Sequence, residues 1–181
     1  MSLLKITTDR LELIAGTQEL ARANIFNRTE FTRLLDARVP DEWPPPLSDM
    51  DSMKWFERYL LENPDSIGWV TWYFILRTDD LGERVAIGNG GFKGKPDSDG
   101  TVEVGYSILE EFQRAGYATE AAKGLVSWAF EHEEVNRVIA ETFPALVGSI
   151  GVLENIGLVF IGKGSEEGTI RYAITRREFE G

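Results

Sequence analysis

The segment Gln113-Arg114-Ala115-Gly116-Tyr117-Ala118-Thr119 carries the clearest chemistry in the chain. It opens an amphipathic stretch and so stands at a helix N-terminus. The first amides of a helix have no intrahelical acceptor, and the aligned peptide dipoles add partial positive charge there. Such a place binds phosphate groups through backbone N–H. Gly116 lets a pyrophosphate come close to the backbone, and the small Ala118 does the same further along. Taken alone, the segment also reads as an ordinary loop with a glycine at a helix start. It lacks the Gly-x-Gly-x-x-Gly of dinucleotide-binding folds and the Gly-Lys-Ser/Thr ending of a P-loop.

Glu103 is the second candidate. Alternation along a strand puts residues 103, 105 and 107 on one face. Glu103 then stands beside Gly105 and Ser107, whose small side chains leave room for a substrate. A carboxylate there can take a proton directly or through water; it can equally be a solvated group on a sheet face. The single histidine, His132, ends the long helix, where a cation favours the dipole and a capping or solvent role suffices.

Composition removes other chemistries. The chain of 181 residues has no cysteine, which excludes disulfides, thiolate catalysis and cysteine-ligated zinc or iron–sulfur sites. One histidine excludes multi-histidine metal sites, so no metal is expected. Thirty acidic residues against 19 basic ones give a net charge of −11. Such a surface repels nucleic acid and anionic membranes but can steer a cation such as an amine. No charge-free run is long enough to span a bilayer. No basic-then-apolar leader opens the chain, so a cytoplasmic location is expected.

These residues need elements to hold them. Arg10 to Ile14 alternates like a strand. Thr17 is placed to cap a helix carrying Leu20, Ala21 and Ile25. A short second helix includes Phe31, Leu34 and Leu35, and Trp43-Pro44-Pro45-Pro46 ends the pattern, because proline lacks an amide donor. Ser48 or Asp49 caps a third helix with Met53, Phe56, Tyr59 and Leu60. Trp69–Leu76, Val85–Phe92 and Val102–Ile108 read as strands in a meander, with turns at Asp79–Gly82 and Pro96–Gly100. The aromatic residues of the first two belong to the core. A long amphipathic helix follows from about Tyr117 to Glu131. Then come a strand over Arg137–Phe143, a helix over Ser149–Asn155 ended by Gly157, and strands over Leu158–Gly162 and Thr169–Thr175. No composition shift marks a boundary, so one domain over residues 1–181 is expected. The order predicts an α/β fold with a mixed sheet, not a doubly wound parallel one.

In this setting the loop resembles the Gln/Arg-x-x-Gly-x-Gly/Ala motif of the GNAT superfamily of acetyl-CoA-dependent N-acetyltransferases. Val102-Glu103-Val104-Gly105-Tyr106-Ser107-Ile108 looks like the strand before that motif, especially in the ribosomal-protein N-terminal acetyltransferase branch. Thr119-Glu120-Ala121 continues the helix as that branch does. Thr142-Phe143-Pro144, followed by Ser149 to Gly157, looks like its second cofactor segment.

The resemblance implies a GNAT-like acyl-CoA N-acyltransferase fold, a mixed and mostly antiparallel central sheet flanked by helices, with two central parallel strands splayed apart. Acetyl-CoA would lie in that gap as acetyl donor. Its pantetheine arm would meet Tyr106, Ser107 and Ile108, and its pyrophosphate Gln113, Arg114, Ala115, Gly116, Tyr117, Ala118 and Thr119. Ser149 and Leu153 would complete the cofactor site. An acceptor amine would attack the thioester directly, with Glu103 as base and Gly105 at the substrate side. The connection holding Trp43 walls the acceptor pocket in the family; Trp43 would pack there on a substrate group or cation, or serve as a structural plug.

Two departures stand out. Family members often have Asn at Leu146 and a thiolate-protonating Tyr at Leu153, although the N-terminal-acetylating branch frequently has Leu at the latter. A weak acid–base set suits an acceptor of low pKa, so an α-amine is expected, on a protein N-terminus or a small amino compound. The alternative is a non-catalytic acyl-CoA-binding regulatory domain. Either a monomer or a homodimer fits the sequence.

Overall fold

The structure, a computed structural model, describes residues 2–78 and 81–181. Asp79 and Asp80 of the expected turn lie outside the described residues. Strands β1 (Lys5–Thr7) and β2 (Leu11–Ala15) precede helices α1 (Gln18–Phe26), α2 (Arg28–Leu35) and α3 (Met50–Glu62). The meander follows as β3 (Thr71–Leu76), β4 (Val85–Phe92) and β5 (Thr101–Ile108). Then come α4 (Tyr117–Phe130), β6 (Arg137–Thr142), α5 (Val147–Asn155), β7 (Val159–Lys163), β8 (Ile170–Thr175) and α6 (Arg176–Glu180). The strands form one mixed sheet in the order β1-β2-β3-β4-β5-β6-β8-β7. Every neighbouring pair is antiparallel except β5 and β6.

Local chemistry explains the helix starts. The Thr17 hydroxyl accepts from Leu20 N at 3.1 Å. Asp49, not Ser48, caps α3, its carboxylate accepting from Ser52 N at 2.7 Å. Ser48 is engaged elsewhere, its Oγ donating to Asn89 Oδ1 at 2.9 Å. Two elements escape the sequence pattern. β1 is too short to show alternation, and α6 rests on a capping box between Thr175 and Glu178.

Helices cover both faces of the sheet. On one, α4 buries Ala121, Leu125, Val126 and Ala129 against Leu11, Leu13, Trp72, Phe74 and Val104, and α5 adds Leu153. On the other, Leu20, Phe31 and Leu35 of α1 and α2 pack on Ile14, Tyr73, Ile75 and Ala86. Each fully buried large apolar side chain contributes ~1.5–3 kcal/mol, so these two layers hold the sheet rigid behind the site. Trp69, Trp72, Tyr73, Phe74 and Phe92 are all buried. His132 packs edge-on against Trp69 and Trp128, ring centroids 4.7 and 4.4 Å away, and its Nδ1 lies 3.0 Å from the Trp128 carbonyl in the last turn of α4, so it caps that helix end while packing on the core.

The sheet opens at its centre. β5 and β6 pair in parallel only at Thr101–Arg137, Val102–Val138 and Glu103–Ile139. Beyond Glu103 they part, although β5 runs on to Ile108 and β6 to Thr142.

Candidate active site

The parting of β5 from β6 frees one edge of β5. Lys93 N donates to Glu103 O at 3.1 Å and Leu109 N to Ile87 O at 2.8 Å. In an antiparallel ladder these alternate, so the backbone groups of Tyr106 and Ile108 face the gap instead of β4. The Ile108 carbonyl accepts from Gln113 Nε2 at 2.9 Å, tying the following loop to the strand end. What remains is a strand edge without a strand partner, able to bond an extended polyamide.

The loop supplies the second feature. The first closed helical bond of α4 is Glu120 N to Gly116 O at 3.0 Å. Among the described residues, no protein acceptor meets the amides from Arg114 through Thr119. Arg114 and Gly116 both take left-handed backbone, with φ of 61° and 82°. A β-carbon on Gly116 would fall 3.2 Å from Arg10 Nη2. The glycine is therefore required by the turn itself, not only by the approach of a ligand.

Together these features bound a cleft of about 1050 Å³. Tyr106, Ile108, Gln113, Arg114, Gly116, Tyr117, Ala118 and Thr119 line one wall; Ala140, Thr142, Leu146, Ser149 and Leu153 line the other. Ala115 is not among the lining residues; its carbonyl turns to Arg10 Nη1 at 2.9 Å. Leu146 and Leu153 put hydrocarbon on the cleft wall at the two positions where the resemblance leads one to expect Asn and Tyr. The Tyr106 hydroxyl donates to the Ser149 carbonyl at 3.2 Å. Burial pushes its pKa up to about 12, against a smaller opposing effect of the Ser149 side chain, so it is a neutral phenol at physiological pH.

Glu103, Gly105 and Ser107 share a face, and all three border the cleft. A β-carbon on Gly105 would meet nothing within 4 Å, so the floor beside Glu103 is open. The Glu103 side chain is 18% exposed and pairs with Lys93 Nζ at 2.8 Å. Ser107 is covered, its hydroxyl donating to the Pro46 carbonyl. The Pro46–Ser48 segment thus straps the sheet at Ser107 and Asn89 and leaves Gly105 and Glu103 open. Asn24, Met53 and Phe56 of α1 and α3 form the roof.

Of the two readings of Trp43, the packing favours the structural plug over the substrate contact. It lies outside the cleft lining, 8% exposed, with Phe31 and Tyr73 rings at 5.7 and 6.4 Å. Its Nε1 donates to Asn24 Oδ1 at 2.8 Å. The indole is a core plug that holds Asn24 from behind.

Several residues at the site escape the sequence reading. Lys93 is legible in principle, because a turn centred on residue 98 sets it opposite Glu103. Glu141 of β6, its side chain 6% exposed, pairs with Arg171 and bonds Ser165 N and Oγ at 2.8 Å each. Burial would raise its pKa, but the bonds from Arg171 and Ser165 and the guanidinium charge outweigh that and hold it below the ordinary glutamate range. It fixes the β7–β8 loop, whose Glu166 and Thr169 also border the cleft.

A strand edge opened by splaying, followed by a loop of free amides at a helix start, defines an acyl-CoA-type transferase architecture. Comparison with known proteins agrees. Residues 10–159 match the Acetyltransferase (GNAT) domain model. The chain is 32% identical over 162 residues to the uncharacterized N-acetyltransferase YjdG of Bacillus subtilis (strain 168), covering 89% of this chain and 93% of that protein. An 87-residue stretch is 37% identical to the FsC-acetyl coenzyme A-N(2)-transacetylase of Aspergillus fumigatus, 42% of this chain and 37% of that one. Among solved structures, the ribosomal-protein-S5-alanine acetyltransferase of Vibrio fischeri superposes with a TM-score of 0.67 at 16% identity, over 98% and 100% of the two chains. RimL, a ribosomal L7/L12 alpha-N-protein acetyltransferase solved with coenzyme A, gives 0.64 at 16% identity over 95% and 98%. The chain belongs to the GNAT acetyltransferase family, and it is an acetyltransferase.

Proposed function

We propose that the protein moves the acetyl group of acetyl-CoA to a primary amine, with an α-amine as the favoured acceptor. One observation carries this reading: the free edge of β5 leads directly into the unpartnered amides of Arg114–Thr119. An extended pantetheine amide chain suits the first and a pyrophosphate the second. Glu103 takes the proton of the bound ammonium, directly or through water. The neutral amine nitrogen then attacks the thioester carbonyl from the Gly105 side. As the C–N bond forms, the C–S bond breaks and the CoA thiolate leaves, and the second proton shed by nitrogen passes through water to that thiolate or to solvent.

The acceptor class follows from proton chemistry. At neutral pH roughly a tenth of α-amines are uncharged, against less than about one lysine in a thousand. The difference in pKa corresponds to ~3–4 kcal/mol of deprotonation. A site with one ion-paired carboxylate suits the easier amine. Leu153 cannot protonate the leaving group, but a thiolate of pKa near ~8.5 departs with little help. The names of the relatives, an N(2)-transacetylase and an alpha-N-protein acetyltransferase, support the same class.

The test is thiol release from acetyl-CoA across a panel of α-amines, polyamines and lysine derivatives. Amine-dependent release is expected. CoA binding without turnover on any amine would favour the non-catalytic reading, which draws its support from Leu146 and Leu153.

A further inference from the structure

The loop Arg114–Thr119 is contorted, and something must hold it. Left-handed backbone at a non-glycine residue such as Arg114 costs ~1–3 kcal/mol and persists only where its surroundings impose it. Between the two left-handed residues stands Ala115, and its carbonyl is held from behind. Arg10, at the turn between β1 and β2, donates from Nη1 to Ala115 O at 2.9 Å. The same guanidinium donates from Nε to Glu120 Oε2 at 2.7 Å. Arg10 N donates to Glu120 Oε1 at 2.7 Å, and Thr8 Oγ1 donates to that oxygen at 2.5 Å. The Arg10 Cζ lies 4.3 Å from the centre of the Tyr117 ring. One side chain thus grips the loop before α4 and the first turn of α4 itself.

We infer that Arg10 and Glu120 are positioning residues that set the amides of Arg114–Thr119 for the pyrophosphate, without touching it. The inference rests on the acetyl-CoA reading above. With the Ala115 carbonyl drawn toward Arg10, the neighbouring amides are left to the cleft. Glu120 neutralises the guanidinium, so Arg10 acts through geometry more than through charge on the phosphate. Burial alone would raise the Glu120 pKa; bonds from Thr8 and Arg10 outweigh it and keep the carboxylate ionised at neutral pH. The planar fork of arginine reaches two acceptors in fixed directions, which a lysine ammonium on one stem does not reproduce. Arg10 is 44% exposed and Glu120 16%. Ion pairs with one partner so open add little to global stability, so removing Arg10 leaves the fold standing and releases the loop.

The experiment compares full-length wild type, Arg10→Met and Arg10→Lys by thermal melting, calorimetric titration with CoA, and 31P NMR of CoA at saturation. Arg10→Met is expected to weaken CoA about tenfold, as for one lost charge-assisted bond. Its bound pyrophosphate resonances should move toward those of free CoA, while the melting temperature stays close to wild type. Arg10→Lys should not restore binding. Thr8→Val, a milder change that removes one bond to Glu120, should shift the same resonances by less; it carries the test if Arg10→Met does not fold. Wild-type affinity with unmoved pyrophosphate resonances in a folded Arg10→Met or Thr8→Val protein would overturn the inference. Full rescue by lysine would also overturn it, in favour of direct charge. A wild-type protein that does not bind CoA would instead overturn the reading on which the inference rests.

Discussion

Replacing Gly116 by valine should separate the two demands placed on the turn proposed to bind the pyrophosphate. Gly116 sits at φ 82° and ψ 5° at the start of α4. A side chain in left-handed backbone costs ~1–2 kcal/mol, and β-branching adds to this. For a domain of this size that lowers Tm by roughly 2–8 °C. The new β-carbon would press on Arg10 Nη2 from 3.2 Å, so the guanidinium must shift its hold on Ala115. Loss of a single charge-assisted bond from a loop amide to the pyrophosphate costs ~1.5–3 kcal/mol. That corresponds to a CoA affinity lower by roughly ten- to a hundredfold. Calorimetric titration of folded variants reads this directly, with Arg114→Ala as the control expected to lose less. A folded Gly116→Val protein with unchanged CoA affinity would refute the reasoning, because the turn could then not be what holds the pyrophosphate.

Other changes probe the acceptor side and the frame. Glu103→Gln should lower turnover ~10²–10⁴-fold near neutral pH and recover part of it at higher pH, where the amine loses its proton unaided; a flat, wild-type pH–rate profile would make Glu103 structural. Lys93→Met frees Glu103 from its ion pair, and the acceptor KM should fall roughly two- to fivefold; a rise would mean that Lys93 orients the carboxylate instead. Glu141 is held below the ordinary glutamate pKa of 4.5, so it contributes stability above that pH, lost as pH falls through its depressed folded value. Glu141→Gln should therefore flatten the acid limb of Tm against pH, and an identical limb would show that Glu141 contributes nothing there. Trp43→Phe should lower stability by ~1–3 kcal/mol through the lost Asn24 bond and volume, with both KM values near wild type; a large change in acceptor KM would return Trp43 to the pocket.

Elements with strong periodicity or a cap are legible in the amino-acid sequence. Thr17, the three meander strands and the α4 face declare themselves through local pattern, as does the helix-start loop at Gly116. The face shared by Glu103, Gly105 and Ser107 follows from strand alternation alone. Residues brought together over long separations leave no such mark. Arg10 and Glu120 meet across 110 positions, and no local spacing identifies either as part of a loop support. Glu141 looks like one more acidic residue until Arg171 and Ser165 close around it. Trp43 stands in a proline-rich connection, where an exposed wall and a buried plug have the same local pattern. Only the packing of Phe31 and Tyr73 decides between them. The splay itself is a three-dimensional event: β5 and β6 are ordinary strands in sequence, and their parting after Glu103 is visible only in register.

The central claim is acetyl transfer to an α-amine, and a competition measures it most directly. Equal amounts of two short peptides are incubated with the protein and acetyl-CoA at pH 7, one with a free N-terminus and no lysine, the other N-terminally blocked with an internal lysine. Mass spectrometry then counts acetyl groups on each. The account predicts acetylation of the free N-terminus by a wide margin, since roughly a tenth of α-amines are neutral there against less than about one lysine in a thousand. A wide preference for the lysine peptide would contradict it.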